Sequence, residues 1–248
     1  MIGVTGIWAK AKCAVILGAA SFALTACGTA DQQEADAIAQ KILETPGAEE
    51  LWATIKDEYP EDFDALVARL QSLSPSERRD ETRTHEIGAE WLREFFARIA
   101  PDAVKAPQAE ILLWSAKESE LYATLQRSSV TQCAAMTMGQ WIFFDENDVA
   151  ATSAVTRRNT AMVKASAAGR DNPQEYAEPT EADFVQLGDT ISATGVDPVL
   201  QGALSDNSAL AALNAQDQCE IGVAVHRGLS DLPDEIEPRM AAFVLSPI

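Results

Sequence analysis

Basic residues are scarce in this sequence. Its 248 residues include 19 lysines and arginines against 38 aspartates and glutamates, which gives a formal net charge of −19 and a pI near 4.4. Proteins that bind nucleic acid through its phosphates need a clustered positive surface. The composition therefore argues against nucleic-acid binding, and it predicts that any protein partner presents basic residues and binds less tightly as salt rises.

Histidine is also scarce, and the common catalytic motifs are missing. The sequence contains only His85 and His226, with no Gly-x-Ser-x-Gly, no phosphate-binding loop and no Gly-x-Gly-x-x-Gly. His85 is followed by Glu86, as in a zinc-protease helix, but Ala89 stands where the second histidine is needed. Because no paired metal-ligand spacing occurs either, we predict a non-catalytic protein without a metal or cofactor.

The N-terminus has the plan of an export signal. Lys10 and Lys12 precede an apolar run over residues 13–23, and no acidic residue occurs before Asp31. Small and polar residues such as Gly18 and Ser21 make this run less apolar than a helix that spans a membrane. An uncleaved anchor and an ordinary secretory peptide remain the alternatives.

The end of this segment carries a more specific motif. Leu24-Thr25-Ala26-Cys27 resembles the lipobox of bacterial lipoproteins, and this resemblance covers the N-terminus alone. It implies cleavage before Cys27, a diacylglyceryl group on the sulfur of Cys27, and attachment to the membrane of the cell envelope. Gly28 follows instead of Asp, which by the enterobacterial sorting rule favours the outer membrane, facing the periplasm. We therefore expect a signal peptide at 1–26 and one exported domain at 27–248.

The exported domain is expected to lie close to the membrane and to be strongly acidic. Removal of residues 1–26 leaves 17 basic and 38 acidic residues, a formal charge of −21. Only residues 28–30 separate Cys27 from the first polar helix, so there is no long tether. Anionic headgroups repel such a domain over about a Debye length of 10 Å. We therefore expect a basic envelope protein as partner, bound divalent cations, or a domain that stands off the membrane.

Apolar periodicity predicts an all-α fold. The clearest stripe is Phe63, Leu66, Val67, Leu70 and Leu73, which has helical spacing after Pro60. Ser74-Pro75-Ser76-Glu77 is a helix-start signal, and it predicts a helix that reaches about Ile99. Few segments alternate with period two. We expect an irregular bundle of about eight helices rather than a four-helix bundle.

The second half of the chain is predicted to be helical except around Cys133. Further helices are expected over 108–127, 147–168, 180–194 and 206–229, with short helices or loops over 196–205 and a closing segment at 233–245. The helix at 147–168 is rich in alanine, which suits close packing against a neighbour. The helical pattern breaks over residues 128–145, and the segment around Cys133 is expected to be irregular. The apolar run 141–144 is too short to classify by period and is read as a buried connector or a brief strand.

Two cysteines remain once Cys13 leaves with the signal and Cys27 carries lipid. An even pair in an exported chain predicts a disulfide between Cys133 and Cys219, which would join the irregular segment to the last long helix. A redox or metal site that includes His226, two turns beyond Cys219, is the alternative. His226 is otherwise expected as an imidazolium in the last turn of its helix, where the helix dipole favours positive charge.

Two carboxylates interrupt apolar stripes and are candidate site residues. Glu118 lies among Ile111, Trp114, Leu121 and Leu125, and Asp217 lies in the same way between Leu213 and Ile221. A buried carboxylate must be paired, protonated or near water. We favour a structural pairing of Glu118 with Arg93, Arg157 or Arg158, and we expect His85 to be a core or boundary residue.

Three functional hypotheses follow from these residues. The first is a lipid-anchored envelope protein with a binding or structural role and no catalysis. The second is a small-molecule or peptide binder with a pocket near Glu118 and His85, walled by Trp91, Trp114 and Phe96. The third is an envelope hydrolase that uses Glu118 and Asp217 as a carboxylate pair. The sequence leaves the ligand, the partner and the oligomeric state open.

Overall fold

The computed structural model describes residues 30–140 and 148–246. Cys27, the lipobox and the apolar run 141–144 lie outside these residues. Within them the chain forms two short 3₁₀ turns, Glu77–Arg79 and Ala203–Ser205, and no strand. The α-helices are α1 Ala30–Leu43, α2 Glu49–Glu58, α3 Pro60–Gln71, α4 Glu81–Ala103, α5 Gln108–Ser128, α6 Val130–Thr137, α7 Val149–Asp171, α8 Glu181–Ala193, α9 Pro198–Gly202, α10 Asn207–Ala212, α11 Ala215–Ser230 and α12 Glu237–Leu245.

The prediction of an all-α, multi-helix fold is confirmed. The described residues form twelve helices instead of about eight, and the surplus includes α6, α9 and α10, which have eight residues or fewer. Such short helices give too few residues to show a period in the sequence. None of the helices in the described ranges is both long enough and apolar enough to cross a membrane.

Helix α4 begins later than its start signal predicts. Ser74 and Glu77 do exchange the hydrogen bonds of a capping box, at 2.9 Å and 3.3 Å, but they cap a 3₁₀ turn. The chain then leaves helical geometry at Asp80, whose carboxylate accepts a hydrogen bond from the Arg83 amide at 3.2 Å. Asp80 is therefore the N-cap of α4. The helix continues through Pro101 and ends at Ala103.

Two expectations for the second half of the chain are wrong in detail. The segment around Cys133 is not irregular, because Ser129 caps α6 by accepting a hydrogen bond from the Gln132 amide. The long helix expected over 206–229 is interrupted, because Asn214 accepts a hydrogen bond from the Asp217 amide at 3.0 Å and begins a new helix, α11. These local caps override the continuous apolar spacing.

Helix α7 lies at the centre of the bundle and packs against α2, α4 and α5. Its small residues permit this, as their spacing predicts: Ala151, Ala154, Ala161 and Ala165 are all buried. The Ser166 hydroxyl donates a hydrogen bond of 2.5 Å to the carbonyl of Ile99 on α4. The backbones of α4 and α7 thus approach each other directly, and a large apolar core fills the space between these helices and α1, α2, α3, α5 and α12.

Gly169→Ala tests this close approach. A Cβ at Gly169 would lie 2.0 Å from the carbonyl oxygen of Asp102 and 2.9 Å from the amide nitrogen of Ala106. Both are backbone atoms, so no side-chain rotation relieves the overlap. We expect a loss of about 2 to 3 kcal/mol in the free energy of unfolding, measured by urea denaturation.

Gly88→Ala is the matched control for this prediction. Gly88 also lies inside a long helix, α4, but a Cβ there meets nothing within 4 Å beyond its chain neighbours and the backbone of its own helix. Alanine has the higher helix propensity, so this variant should gain about 0.5 to 1 kcal/mol. Equal effects of the two substitutions would contradict a backbone contact at Gly169.

Candidate functional site

The disulfide predicted from the sequence is present. Cys133 on α6 and Cys219 on α11 are bonded, with their Cα atoms 5.0 Å apart, and neither side chain is exposed. A second apolar cluster surrounds the bond and includes Leu121, Tyr122 and Leu125 of α5. The disulfide therefore fixes α6 and α11 beside the middle of α5, where the candidate residue Glu118 lies.

Glu118 is buried, as its position in the apolar stripe of α5 predicts. Only 5% of the residue is exposed, and its carboxylate accepts a charge-assisted hydrogen bond from Nε of Arg158 on α7. Arg158 also donates to Oδ1 of Asn159 at 3.0 Å and lies 5.9 Å from the ring centroid of Trp114. The predicted pairing with an arginine is thus confirmed, and Arg158 is the partner.

Tyr122 and His226 form the next layer beside this ion pair. Their rings stack with centroids 4.3 Å apart. Burial raises the pKa of Tyr122 far above its usual range, and the charge of Glu118 adds to this effect. Burial also lowers the pKa of His226. The expectation of an imidazolium at His226 is therefore wrong. The ring stacks on Tyr122 and is shielded from solvent, and burial disfavours its charged form.

Four of the five residues expected around a pocket are buried, and three of them, Trp91, Phe96 and Trp114, belong to the same large core. Trp114 shares α5 with Glu118, and Trp91 stacks on Phe95 at 5.0 Å and faces Trp52 at 6.0 Å. Phe96 is buried in that same core. These placements do not support a common pocket, because the aromatic walls pack against each other.

His85 is exposed, so its expected core or boundary position is wrong. The buried stripe of α4 is Ile87, Trp91, Phe95 and Ile99. His85 precedes this stripe by two residues and therefore lies on another face of the helix.

Asp217 does not lie on a buried helical stripe, contrary to the expectation from its spacing. Because α11 begins at Ala215, Asp217 lies in the first turn of the helix and is only partly buried. Its carboxylate accepts a hydrogen bond from the Asn214 amide group at 2.8 Å. Glu118 and Asp217 thus each have a structural partner, which argues against their use as a catalytic pair.

A second ion pair, between Asp183 and Arg239, was not predicted from the sequence. Asp183 on α8 binds Arg239 on α12 through two hydrogen bonds, one of them 2.9 Å from Arg239 Nε to Asp183 Oδ2. Asp183 also accepts from the amide and the hydroxyl of Thr180. The Arg239 guanidinium holds the pKa of Asp183 well below its usual range. The capping-box spacing of Thr180 and Asp183 was visible in the sequence, but the arginine lies 56 residues away.

Glu237 is a partly buried carboxylate with a raised pKa. It is the first residue of α12, and the Ser115 hydroxyl donates to its Oε1 at 3.4 Å. Burial raises the pKa of Glu237 from 4.5 to about 7, and the charges of Asp234 and Asp231 add to the increase. The folded protein therefore holds a proton at Glu237 that the unfolded chain releases at lower pH.

This difference predicts a pH dependence of stability. Between about pH 5 and pH 7 the folded state binds more protons at Glu237 than the unfolded state does. The contribution of Glu237 to the free energy of unfolding therefore falls as pH rises. Glu237→Gln should remove this slope, so that wild type loses stability relative to the variant over that range. Urea denaturation of both proteins at several pH values measures the difference.

Glu235→Gln is the control for the loss of one negative charge, since Glu235 is exposed in the same segment. His226 acts in the opposite direction, because its lowered pKa destabilises the folded state as pH falls below about 6.5. The comparison therefore uses differences between variants rather than the wild-type profile. An identical pH slope in wild type and Glu237→Gln would contradict the raised pKa.

No family model, no curated protein and no solved structure matches this chain.

Proposed function

We propose that this chain is a lipid-anchored protein of the bacterial cell envelope that acts by binding another envelope component, without catalysis. Cys27 is the attachment site, and the exported domain faces the periplasm from the outer membrane. The observation that carries the proposal is the lipobox Leu24-Thr25-Ala26-Cys27 after an apolar run and two lysines.

The fold is consistent with an anchored, exported domain. Helix α1 begins at Ala30, three residues after Cys27, so the bundle would start at the membrane surface. Disulfides such as Cys133–Cys219 persist in oxidising compartments, among them the bacterial periplasm. Both features support the proposed location.

The pairing of three carboxylates supports a binding role better than a catalytic one. Glu118 is engaged by Arg158, Asp183 by Arg239 and Asp217 by Asn214. Catalytic carboxylates need a reacting group within hydrogen-bond reach, and these three are occupied by structural partners. The pairing of Glu118 also argues against the alternative of a ligand pocket centred on that residue.

Mass spectrometry of the protein from its host's membrane fraction tests the proposal. We expect an N-terminal peptide that begins at an acylated Cys27, and Cys27→Ala should leave the precursor uncleaved and unmodified. An N-terminus at Met1 in the wild type, or an unmodified Cys27 in a soluble protein, would contradict it. A salt-sensitive complex with a basic protein is the expected binding behaviour.

A further inference from the structure

The negative charge of the chain is concentrated at its C-terminal end. Residues 172–246 contain two arginines, Arg227 and Arg239, and thirteen carboxylates. The carboxylates are Glu175, Glu178, Glu181, Asp183, Asp189, Asp197, Asp206, Asp217, Glu220, Asp231, Asp234, Glu235 and Glu237. Arg239 is already paired with Asp183. Without the paired Asp183 and the protonated Glu237, eleven carboxylates remain against Arg227, so helices α8 to α12 and the segments that join them carry a strongly negative surface.

The same helices carry most of the large apolar side chains that are exposed in the described residues. Leu113 and Val149 lie elsewhere, but the other six belong to this end of the chain: Phe184, Val185, Val199, Leu204, Phe243 and Val244. Exposed apolar groups that lie together mark interaction surfaces more often than scattered ones do. Apolar exposure and negative charge thus coincide.

Phe184 and Phe243 contact each other at this end of the chain. Their rings meet edge to face, with centroids 5.5 Å apart, although 45% of Phe184 and 52% of Phe243 are exposed. Phe184 adjoins Asp183, and Phe243 lies one helical turn after Arg239, so the ion pair links α8 to α12 next to the two rings. We call Phe184, Val185, Phe243 and Val244 the aromatic surface.

Carboxylates border the aromatic surface on α8. Glu181 lies three residues before Phe184, and Asp189 lies four residues after Val185, which places each on the same helix face as its apolar neighbour. Val185 and Asp189 also line one shallow depression along this helix. An apolar centre with an acidic border complements a segment that carries apolar residues flanked by lysine or arginine.

We propose that the aromatic surface binds a cationic amphipathic segment of a partner protein, an inference that rests on the proposed function and specifies its partner. The apolar residues of the segment cover Phe184 and Phe243, and its basic residues face Glu181 and Asp189. Charge selects this occupant: a second copy of the mature chain brings another formal −21, and an anionic lipid surface is also repelled.

A binding assay with a defined probe tests the inference. The probe is a fluorescent, synthetic amphipathic helical peptide of leucine and lysine, titrated with the mature lipidated protein in a neutral detergent. The signal of the peptide in detergent without protein is measured first and subtracted. Peptides of leucine and glutamate, and a non-amphipathic scramble of the first, test charge and pattern separately. We expect binding of the leucine–lysine peptide only, weakened by added salt.

Variants locate the binding surface. Phe184→Ala with Phe243→Ala should weaken binding about tenfold or more, as expected when exposed aromatic anchors are removed. Leu113→Ala with Val149→Ala is the matched control, since it removes exposed apolar groups elsewhere. Glu181→Gln with Asp189→Asn keeps both rings and should reduce affinity and its salt dependence. This second pair tests the surface even if the aromatic variant folds poorly.

Several results would overturn the inference. Failure of the leucine–lysine peptide to bind, or equal binding of the leucine–glutamate peptide, would contradict the inference. An equal loss of affinity in the aromatic and control variants would contradict it as well. Self-association that the aromatic variant abolishes would assign the surface to a second copy instead. Cys27 acylation, measured by mass spectrometry on the same preparation, reports on the proposed anchoring independently. Binding that persists in both surface variants would leave a binding role intact but place it elsewhere.

Discussion

Replacement of Cys133 and Cys219 by alanine is expected to lower the free energy of unfolding by about 4 to 5 kcal/mol. The bond closes a loop of 86 residues, and in the chain-entropy model such a cross-link removes this much freedom from the unfolded state. Because a typical domain is stable by only about 5 to 15 kcal/mol, the variant should lose much of its stability. Urea denaturation of oxidised wild type and of the double variant measures the difference.

Measurements on reduced wild type distinguish the effect of the cross-link from the effect of packing the two sulfur atoms. Both cysteines are fully buried, so reduction should require opening of the fold and should be slow under native conditions. Wild type equilibrated with a strong reductant should then unfold near the midpoint of the double variant. If oxidised wild type and the double variant differ by less than about 1 kcal/mol, the cross-link contributes little and α6 is held to α11 by packing alone.

The sequence was sufficient to predict the structural features that depend on residues close together along the chain. Pro60 and the stripe beginning at Phe63 predict α3, and Phe63, Leu66 and Val67 are indeed its buried residues. The disulfide followed from counting, because two cysteines remained after the N-terminal ones were assigned. The burial of Glu118 followed from its place among Ile111, Trp114 and Leu121, since helical spacing fixes which residues share a face.

Interruptions of helices could not be predicted in the same way. Leu210, Leu213 and Ile221 keep helical spacing across the break at Asn214, so the pattern indicates one helix. The break depends on whether a few capping hydrogen bonds outweigh continuation of the helix, and tertiary packing decides such small differences. Helix α6, with eight residues, is too short for its period to be read.

Partners that lie far apart in the sequence also escaped prediction. Glu118 had three candidate arginines, and the choice of Arg158 required knowing that α7 packs against α5. Asp183 and Arg239 are separated by 56 residues, and Phe184 meets Phe243 where this ion pair joins α8 to α12. The aromatic surface is therefore a product of the tertiary fold, and no local pattern indicates it.

The Glu118–Arg158 pair leads to the second large prediction, an unequal cost for removing either partner. In the ion pair, 7% of the Glu118 side chain is exposed, compared with 23% of the Arg158 side chain. Arg158→Met leaves a buried carboxylate without its cation, which should cost about 3 to 5 kcal/mol. Glu118→Leu should cost less, because the longer arginine can extend its charged end towards water.

The double variant Glu118→Leu with Arg158→Met decides whether the pair is structural. Replacing both charges with apolar groups of similar size removes the desolvation penalty together with the attraction, so the double variant should be more stable than Arg158→Met. Urea denaturation of all four proteins gives the coupling energy directly. Additive losses would show that the two side chains do not act as a pair.

Glu118→Gln distinguishes a structural carboxylate from one kept for function. Glutamine retains an acceptor for Arg158 but loses the charge, so a structural role predicts a loss of stability smaller than that of Glu118→Leu. Functional residues often reduce stability, and their replacement then stabilises the fold. A gain in stability for Glu118→Gln would therefore contradict the structural assignment and return Glu118 to the candidates for ligand binding.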